Sequence, residues 1–353
     1  MPPRVTYWTG TWDPAKEAIS KEVQQLRSAG GASHPVVSFS PGQHSALRSA
    51  ERVVQLSARR WMLMRAVASV VERYGAISHV FGGLSSWHLL RAVGRRPVVL
   101  TVAIPGEPAD RAIWSNVAIA VAESEPLADA LRQVGIPADR VRLIYPGIDL
   151  DRFTPGPEPP ARRFRLLFAS SPSDAAEFDR RGIPLLVETA RRRPEIDVVL
   201  LWREWGDQRA ARHALAELAP PPNVSVEFAS GRGMPEIYRS ADAVACLYED
   251  GFGKSCPNSV VEALACGVPA VVSSGCGIAG LVSAAGAGLV VARAPEAVAA
   301  AVARLREARA AWAAAARALA ERAFGERMFL AAYARLYDEL TSADSGRAAA
   351  RSR

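Results

Sequence analysis

Short apolar runs rich in valine and isoleucine alternate with stretches of helical periodicity along almost the whole chain, and this alternation leaves few architectures open. RVTYW, HPVVSF, ISHVFGG, PVVLTV, VAIAVAE and VRLIYPG read as strands. The spacing predicts helices between them. One opens with Asp13 as N-cap and Pro14 at the first helical position, and carries Ala15, Ile19, Val23 and Leu26 as its apolar stripe. A long helix is expected around 52–73, and shorter ones at 86–93 and 127–134. Apolar β-branched strands separated by helices describe a parallel sheet covered on both faces.

The alternation breaks once. PGIDLDRFTPGPEPPARR places five prolines and two glycines in eighteen residues, the composition of an interdomain linker. It then restarts with FRLLFAS, a helix near 184–193, IDVVLLW, a helix near 208–218, NVSVEFAS, a short helix around Ile237, and DAVACLY. Two alanine-rich helices follow, at 295–322 and 326–340. The expected fold class is α/β: two Rossmann-like, doubly wound parallel-sheet domains facing across a cleft, at 1–155 and 163–323. Residues 343–353 are expected to form a disordered basic tail. A chain of 353 residues suits two such cores.

Composition narrows the partners. No apolar run reaches the roughly 18 residues that span a bilayer. MPPRVTYWTG lacks a charged-then-apolar leader, so the expected location is the cytoplasm. The net charge of +7 comes largely from scattered arginine. It suits an anionic substrate or peripheral contact with an anionic membrane surface. No stripe of basic residues interleaved with aromatics points to nucleic acid. Cys246, Cys256, Cys266 and Cys276 recur every ten residues, too far apart for the usual zinc pairing. They are read as buried thiols, with no metal and no cofactor expected.

Residues 251–280, GFGKSCPNSVVEALACGVPAVVSSGCGIAG, carry three competing signals. The GKS at 253–255 resembles the end of a P-loop, but Tyr248 stands where that loop requires glycine. GCGIAG fits the dinucleotide pattern, yet 281–287 is too short and too rich in Gly and Ala for a crossover helix. The ribose-binding acid expected roughly 20 residues on is also missing. The remaining signal is a helix opened by Pro257 and Asn258. The N–H groups of Asn258, Ser259 and Val260 are expected to be unpaired there and to form an anion site with the helix dipole. Lys254 adds a full charge just before it. Glu262, one turn further in among apolar neighbours, needs partners. A pair of sugar hydroxyls, or a neighbouring backbone group or Arg, would each serve.

PNSVVEALACGVPAVVSS resembles the donor-site signature of the retaining GT-B glycosyltransferases of family 4, the glycosyl transferases group 1. ESEPLADALRQVGIPADRVRLIYPGIDLDRF is similar to that family's interdomain passage, and AERAFGERMFLAAYARLYDEL to its closing helices. The resemblance implies transfer of a sugar from a nucleotide diphosphate-sugar donor to an acceptor hydroxyl, with retained anomeric configuration and without a metal. The acceptor is a small molecule or a glycan. The resemblance further implies that the last helix, 325–342, returns to the first domain. Donor contacts carried over are Lys254, Ser255, Pro257, Asn258, Ser259, Glu262 for the ribose hydroxyls, and Gly275 and Gly277 along the donor. Arg181-Gly182 stands where the family has a Lys-Gly pair. Arg181 and Lys254 are therefore the expected catalytic cations.

Three positions depart from the family pattern. Lys254 replaces an acid, with Glu249 or Asp250 as substitutes if the loop carries an insertion. Ala103 replaces a histidine, and Gly280 replaces a second acid. They point to an unusual donor sugar or to a catalytically silent nucleotide-sugar-binding homologue. A nucleotide-sugar epimerase on the same fold is a further alternative, and an NADP oxidoreductase rests only on GCGIAG and Arg293. On the acceptor side, Gly10 permits close backbone approach to phosphate and Trp12 stacks on a sugar or staples the first helix. Asp13, Trp87 and His88 lie at the same expected rim.

Overall fold

The computed structural model describes residues 3–31, 34–40, 44–57, 63–85, 87–107, 111–157, 162–172, 174–202, 208–228 and 232–351. The side chains of 87, 111, 112, 208 and 343–351 lie outside the description. The chain divides into two compact units, one of Met1–Gly147 with Arg327–Arg353 and one of Ile148–Glu326.

The first unit is built from β1 (Val5–Thr9), α1 (Ala18–Gly30), β2 (Val36–Ser40), β3 (Ala46–Arg48), β4 (Val53–Ser57), α2 (Met64–Val71), β5 (Ile77–Gly83), α3 (Trp87–Leu90), β6 (Val98–Ile104), β7 (Val117–Ala122), α4 (Glu125–Gln133) and β8 (Val141–Leu143). The sheet order is β3-β4-β2-β1-β5-β6-β7-β8. Every pairing is parallel except that of β3 with β4. Side chains alternate between two cores: Trp8, Val37 and Leu100 face one, while Tyr7, Val36 and Val99 face the other.

The second unit continues with β9 (Phe164–Phe168), α5 (Glu177–Arg181), α6 (Ile183–Arg192), β10 (Ile196–Trp202), α7 (Gln208–Glu217), β11 (Val224–Phe228), α8 (Met234–Arg239), β12 (Ala243–Cys246), α9 (Asn258–Ala265), β13 (Ala270–Val272), α10 (Ala279–Ala284), β14 (Gly288–Val290), α11 (Pro295–Glu307) and α12 (Arg309–Ala323). Its sheet is parallel throughout, in the order β11-β10-β9-β12-β13-β14. From Arg327 on, the closing helix α13 (Glu326–Arg351) belongs to the first unit. It buries Phe329, Tyr333, Leu336 and Tyr337 in the same core as Val5, Tyr7 and Phe81.

Several expectations are corrected. The helix expected at 52–73 is strand β4 followed by the shorter α2, because Val53 and Leu56 turn inward in parallel pairing with β2. The first helix starts at Ala18 with Glu17 as its cap, whose carboxylate accepts from the amides of Ile19 and Ser20. Asp13 instead closes the preceding turn, its Oδ1 accepting from the Ala15 amide at 3.2 Å. The helix expected at 295–322 is two, broken at Ala308. From Ile148 on, the proline-rich stretch belongs to the second unit. There Arg317 donates to the carbonyls of Leu150 (3.3 Å), Phe153 (2.7 Å) and Ala265 (2.8 Å). The tail expected to be disordered from 343 continues α13 to Arg351, in keeping with the helix propensity of its alanines.

Candidate functional site

In a doubly wound sheet the crevice for a ligand opens at the carboxyl ends of the strands, where the winding reverses. In the second unit that reversal falls between β9 and β12. The segments leaving those two strands carry most of the donor-site residues expected from the sequence, Arg181 and Gly182 after β9 and those from Lys254 to Glu262 after β12. Arg181 ends α5. Its Nε donates to Glu177 Oε2 at 2.7 Å and its Nη1 donates to Ser170 Oγ, just beyond β9. The Ser170 hydroxyl is 2.9 Å from that of Tyr248, beyond β12. The guanidinium also lies 5.2 Å from the Phe252 ring centre and 5.9 Å from that of Tyr248. A cation is thus fixed on two aromatic rings and one carboxylate, with 13% of its side chain exposed.

Gly182 links α5 to α6 at φ +77°, a left-handed conformation in which its backbone lies against Leu247. Gly275, beyond β13, is equally constrained. A Cβ there would overlap the Tyr248 carbonyl oxygen and lie 2.5 Å from that of Glu249. The loops after β12 and β13 therefore touch backbone to backbone, with Ser273 Oγ donating to Tyr248 O at 2.5 Å. Gly277 is half-buried in the same loop.

Lys254 is half-buried and its Nζ donates to Cys256 O at 3.0 Å, on the approach to α9. Ser255 and Pro257 are buried beside it. Pro257 is the N-cap of α9, and no side chain caps the helix. Val260 N–H was expected to be unpaired, but it donates to Pro257 O at 3.0 Å, as does Val261 N–H at 3.2 Å. The first turn tightens and leaves the Asn258 and Ser259 amides without an intrahelical acceptor. The Asn258 Oδ1 is buried with no hydrogen-bond partner.

Glu262 follows one turn later and is 6% exposed. Of the partners anticipated for it, neither a backbone group nor an arginine is found among the described residues. Its Oε2 accepts from the Tyr238 hydroxyl at 2.7 Å. The substitute acids are engaged elsewhere. Glu249 pairs with Arg180 at 3.1 Å, and Asp250 Oδ1 accepts from the Ser274 hydroxyl at 2.9 Å. Arg293 donates to Leu247 O at 3.1 Å and to Asp179 O, so it is bound to backbone in this structure. Gly280 has open space where a Cβ would stand.

In the first unit the reversal falls between β1 and β5. Gly10 follows β1 with room for a Cβ, 4.0 Å from Phe39 O, so no contact among the described residues requires glycine there. Trp12 was expected to stack on a ligand or staple the first helix. It is 7% exposed and fills the core beside Ile19 and Val53, which takes its ring out of reach of a ligand. Asp13 is half-buried in the turn before α1, and exposed His88 rests 5.4 Å from the Phe39 ring. The Trp87 side chain lies outside the described residues. Ala103 is fully buried on β6.

Ser170, Glu177 and Tyr238 were not singled out from the sequence, and Tyr248 was noted there only as the residue that breaks the P-loop pattern, not as a site residue. Ser170 and Tyr248 each stand just past an apolar strand, which was the available signal. Tyr238 carried none. All four cysteines are buried free thiols, and among the described residues no group of three His, Cys, Asp or Glu side chains is placed to hold a metal. No described helix is long and apolar enough to cross a membrane.

Comparison with known proteins bears on family likeness and fold. Residues 166–308, within the second unit, match the family model of glycosyl transferases group 1. A D-inositol 3-phosphate glycosyltransferase of Mycobacterium sp. (strain JLS) is 32% identical over 196 residues, covering 52% of this chain and 40% of that protein. The chain thus matches less than two thirds of the length of the curated relatives it resembles, 40% in this case. The crystal structure of Anabaena HepE in complex with UDP and glucose superposes with a TM-score of 0.75 at 15% identity, covering 96% of this chain and all of that one. Sucrose-phosphate synthase from Thermosynechococcus elongatus gives 0.73 at 18%, with the same coverage. At these identities the likeness is one of fold: two parallel-sheet α/β domains of the GT-B type.

Proposed function

We propose that this chain, which carries the glycosyl transferases group 1 match over residues 166–308, is a GT-B glycosyltransferase that takes a nucleotide diphosphate-sugar as donor. The observation that carries this reading is the uncapped start of α9 beyond β12, with Lys254 before it and buried Glu262 one turn inside it. Helix-start amides and a cation suit a diphosphate, and a buried carboxylate suits the hydroxyl pair of a pentose. Arg181, steadied on Tyr248 and Phe252, supplies the second cation. The HepE complexes contain UDP, which makes UDP-sugars the first donors to try.

In this reading the chemistry is charge stabilisation. The bond between the anomeric carbon and the diphosphate oxygen breaks, and the departing charge is met by Arg181, Lys254 and the amides of Asn258 and Ser259. The acceptor hydroxyl bonds to the same face of the anomeric carbon, so configuration is retained. Its proton passes to an oxygen of the departing phosphate. No resident metal or cofactor takes part in this scheme, and the acceptor is a small molecule or a glycan. In this reading Lys254, in place of the family's acid, removes an acceptor for the donor sugar's hydroxyls and adds a cation for the diphosphate.

A melting-temperature panel of UDP-, GDP-, ADP- and dTDP-sugars tests the reading, followed by turnover with and without an acceptor. A donor that binds the folded protein raises the melting temperature by mass action. Sugar transfer that requires an acceptor supports the transferase. Conversion of the donor alone would instead identify an epimerase, and binding without turnover of any donor–acceptor pair a silent homologue.

A further inference from the structure

Glu262 is reached by one polar contact that the donor chemistry does not explain. Tyr238 lies on α8, fully buried, with its ring centre 6.3 Å from that of Phe153. Its hydroxyl donates to Glu262 Oε2 at 2.7 Å. A carboxylate offers about four lone-pair sites. Among the described residues Glu262 has no ion pair, although Arg239 and Arg317 stand on neighbouring helices. Arg239 reaches Thr154 O, and Arg317 reaches the carbonyls of Leu150, Phe153 and Ala265 together with Glu321. A bidentate arginine would occupy both carboxylate oxygens and leave little for a ligand. A phenol donates once, from a rigid ring, without charge.

We propose that Tyr238 is a positioning residue for nucleotide recognition. Its hydroxyl holds Oε2 and orients the Glu262 carboxylate, leaving Oε1 and the free lone pair of Oε2 to accept the two vicinal hydroxyls of a ribose. This rests on the reading of Glu262 as the pentose contact. Without the phenol the glutamate samples other rotamers, and the ribose hydroxyls lose a pre-oriented acceptor. The α8–α9 contact thereby becomes a determinant of selectivity for ribose over deoxyribose.

The test is calorimetric, on the full chain. Whichever of UDP, GDP and ADP the wild type binds most tightly is compared with its 2′-deoxy counterpart, and inorganic pyrophosphate serves as a probe of the phosphate site. The wild type should prefer the ribonucleotide by about tenfold or more, the scale of a hydrogen bond to a charged group. Tyr238→Phe removes a single oxygen from a buried ring. It should reduce that preference to about two- to threefold while pyrophosphate affinity stays unchanged. Glu262→Gln should also reduce the preference, and the double variant should reduce it no further. If Glu262→Gln removes the preference and Tyr238→Phe keeps it, Tyr238 merely packs and the inference is overturned while the ribose reading stands. If Glu262→Gln keeps the preference, the ribose reading fails and takes this inference with it. A general loss of fold would show as a parallel loss of pyrophosphate affinity in Tyr238→Phe, and would likewise count against a positioning role.

Discussion

A Cβ on Gly182 would lie 2.7 Å from the Leu247 Cβ and 2.8 Å from the Leu247 carbonyl oxygen, so the turn that carries Arg181 is seated on the backbone leaving β12. The φ of +77° adds to this constraint. Gly182→Ala should therefore cost about 1–3 kcal/mol of stability and displace Arg181. Urea denaturation and nucleoside diphosphate titration of the same variant check both effects.

Arg181→Ala removes the cation held between Glu177, Ser170 and two aromatic rings. Affinity for a nucleoside diphosphate should fall by about 10- to 100-fold, the range of a hydrogen bond to a charged group. Arg181→Lys should recover only part of this, because the planar guanidinium is what stacks and forks. Calorimetric titration of the three proteins checks the order.

Gly275, in the loop after β13, and Gly280, in the first turn of α10, make an internal contrast. Gly275→Ala places a methyl against the carbonyls of Tyr248 and Glu249 and should destabilise by about 2 kcal/mol or more, since neither carbonyl is a flexible chain end. Gly280→Ala meets open space on α10 and should be neutral or stabilising by up to about 1 kcal/mol. Melting curves of the two variants under one buffer check the difference.

His79 is fully buried on β5, with its ring nitrogens 2.6 Å from the Tyr337 hydroxyl of α13 and 2.8 Å from Thr101 Oγ1 of β6. Burial holds its pKa well below the usual histidine value of 6.5. The unfolded chain then binds the proton first as pH falls. Stability from this group is complete above about pH 6.5 and declines below it, by up to about 1.4 kcal/mol per pH unit, until the lower folded pKa is reached. Melting temperature measured from pH 8 to pH 5 should fall more steeply in the wild type than in His79→Gln, which starts lower but carries no such titration.

The two sheets were legible in the sequence because parallel strands covered on both faces are continuous apolar runs. The region of 52–73 was not, because the spacing of Val53, Val54 and Leu56 fits one turn of helix as well as an inward-facing strand. At the candidate site, the α9 start and Glu262 stood out because a charged residue inside an apolar helix needs a reason. Tyr238 and Ser170 are ordinary residue types at ordinary positions. Their importance is set by which strand ends and helix faces the topology brings together, as in the contact between α8 and α9. Trp12 shows the converse. An aromatic residue just past a strand looks available, and only the packing beside Ile19 and Val53 shows that it is core.

The most direct measurement is a crystal structure of the protein with a bound nucleotide-sugar, or with the nucleoside diphosphate that most raises its melting temperature. The account predicts the diphosphate at the amides of Asn258 and Ser259, within reach of Arg181 and Lys254, with the ribose hydroxyls on Glu262. A ligand bound elsewhere on the second unit, with the start of α9 unoccupied, would contradict it.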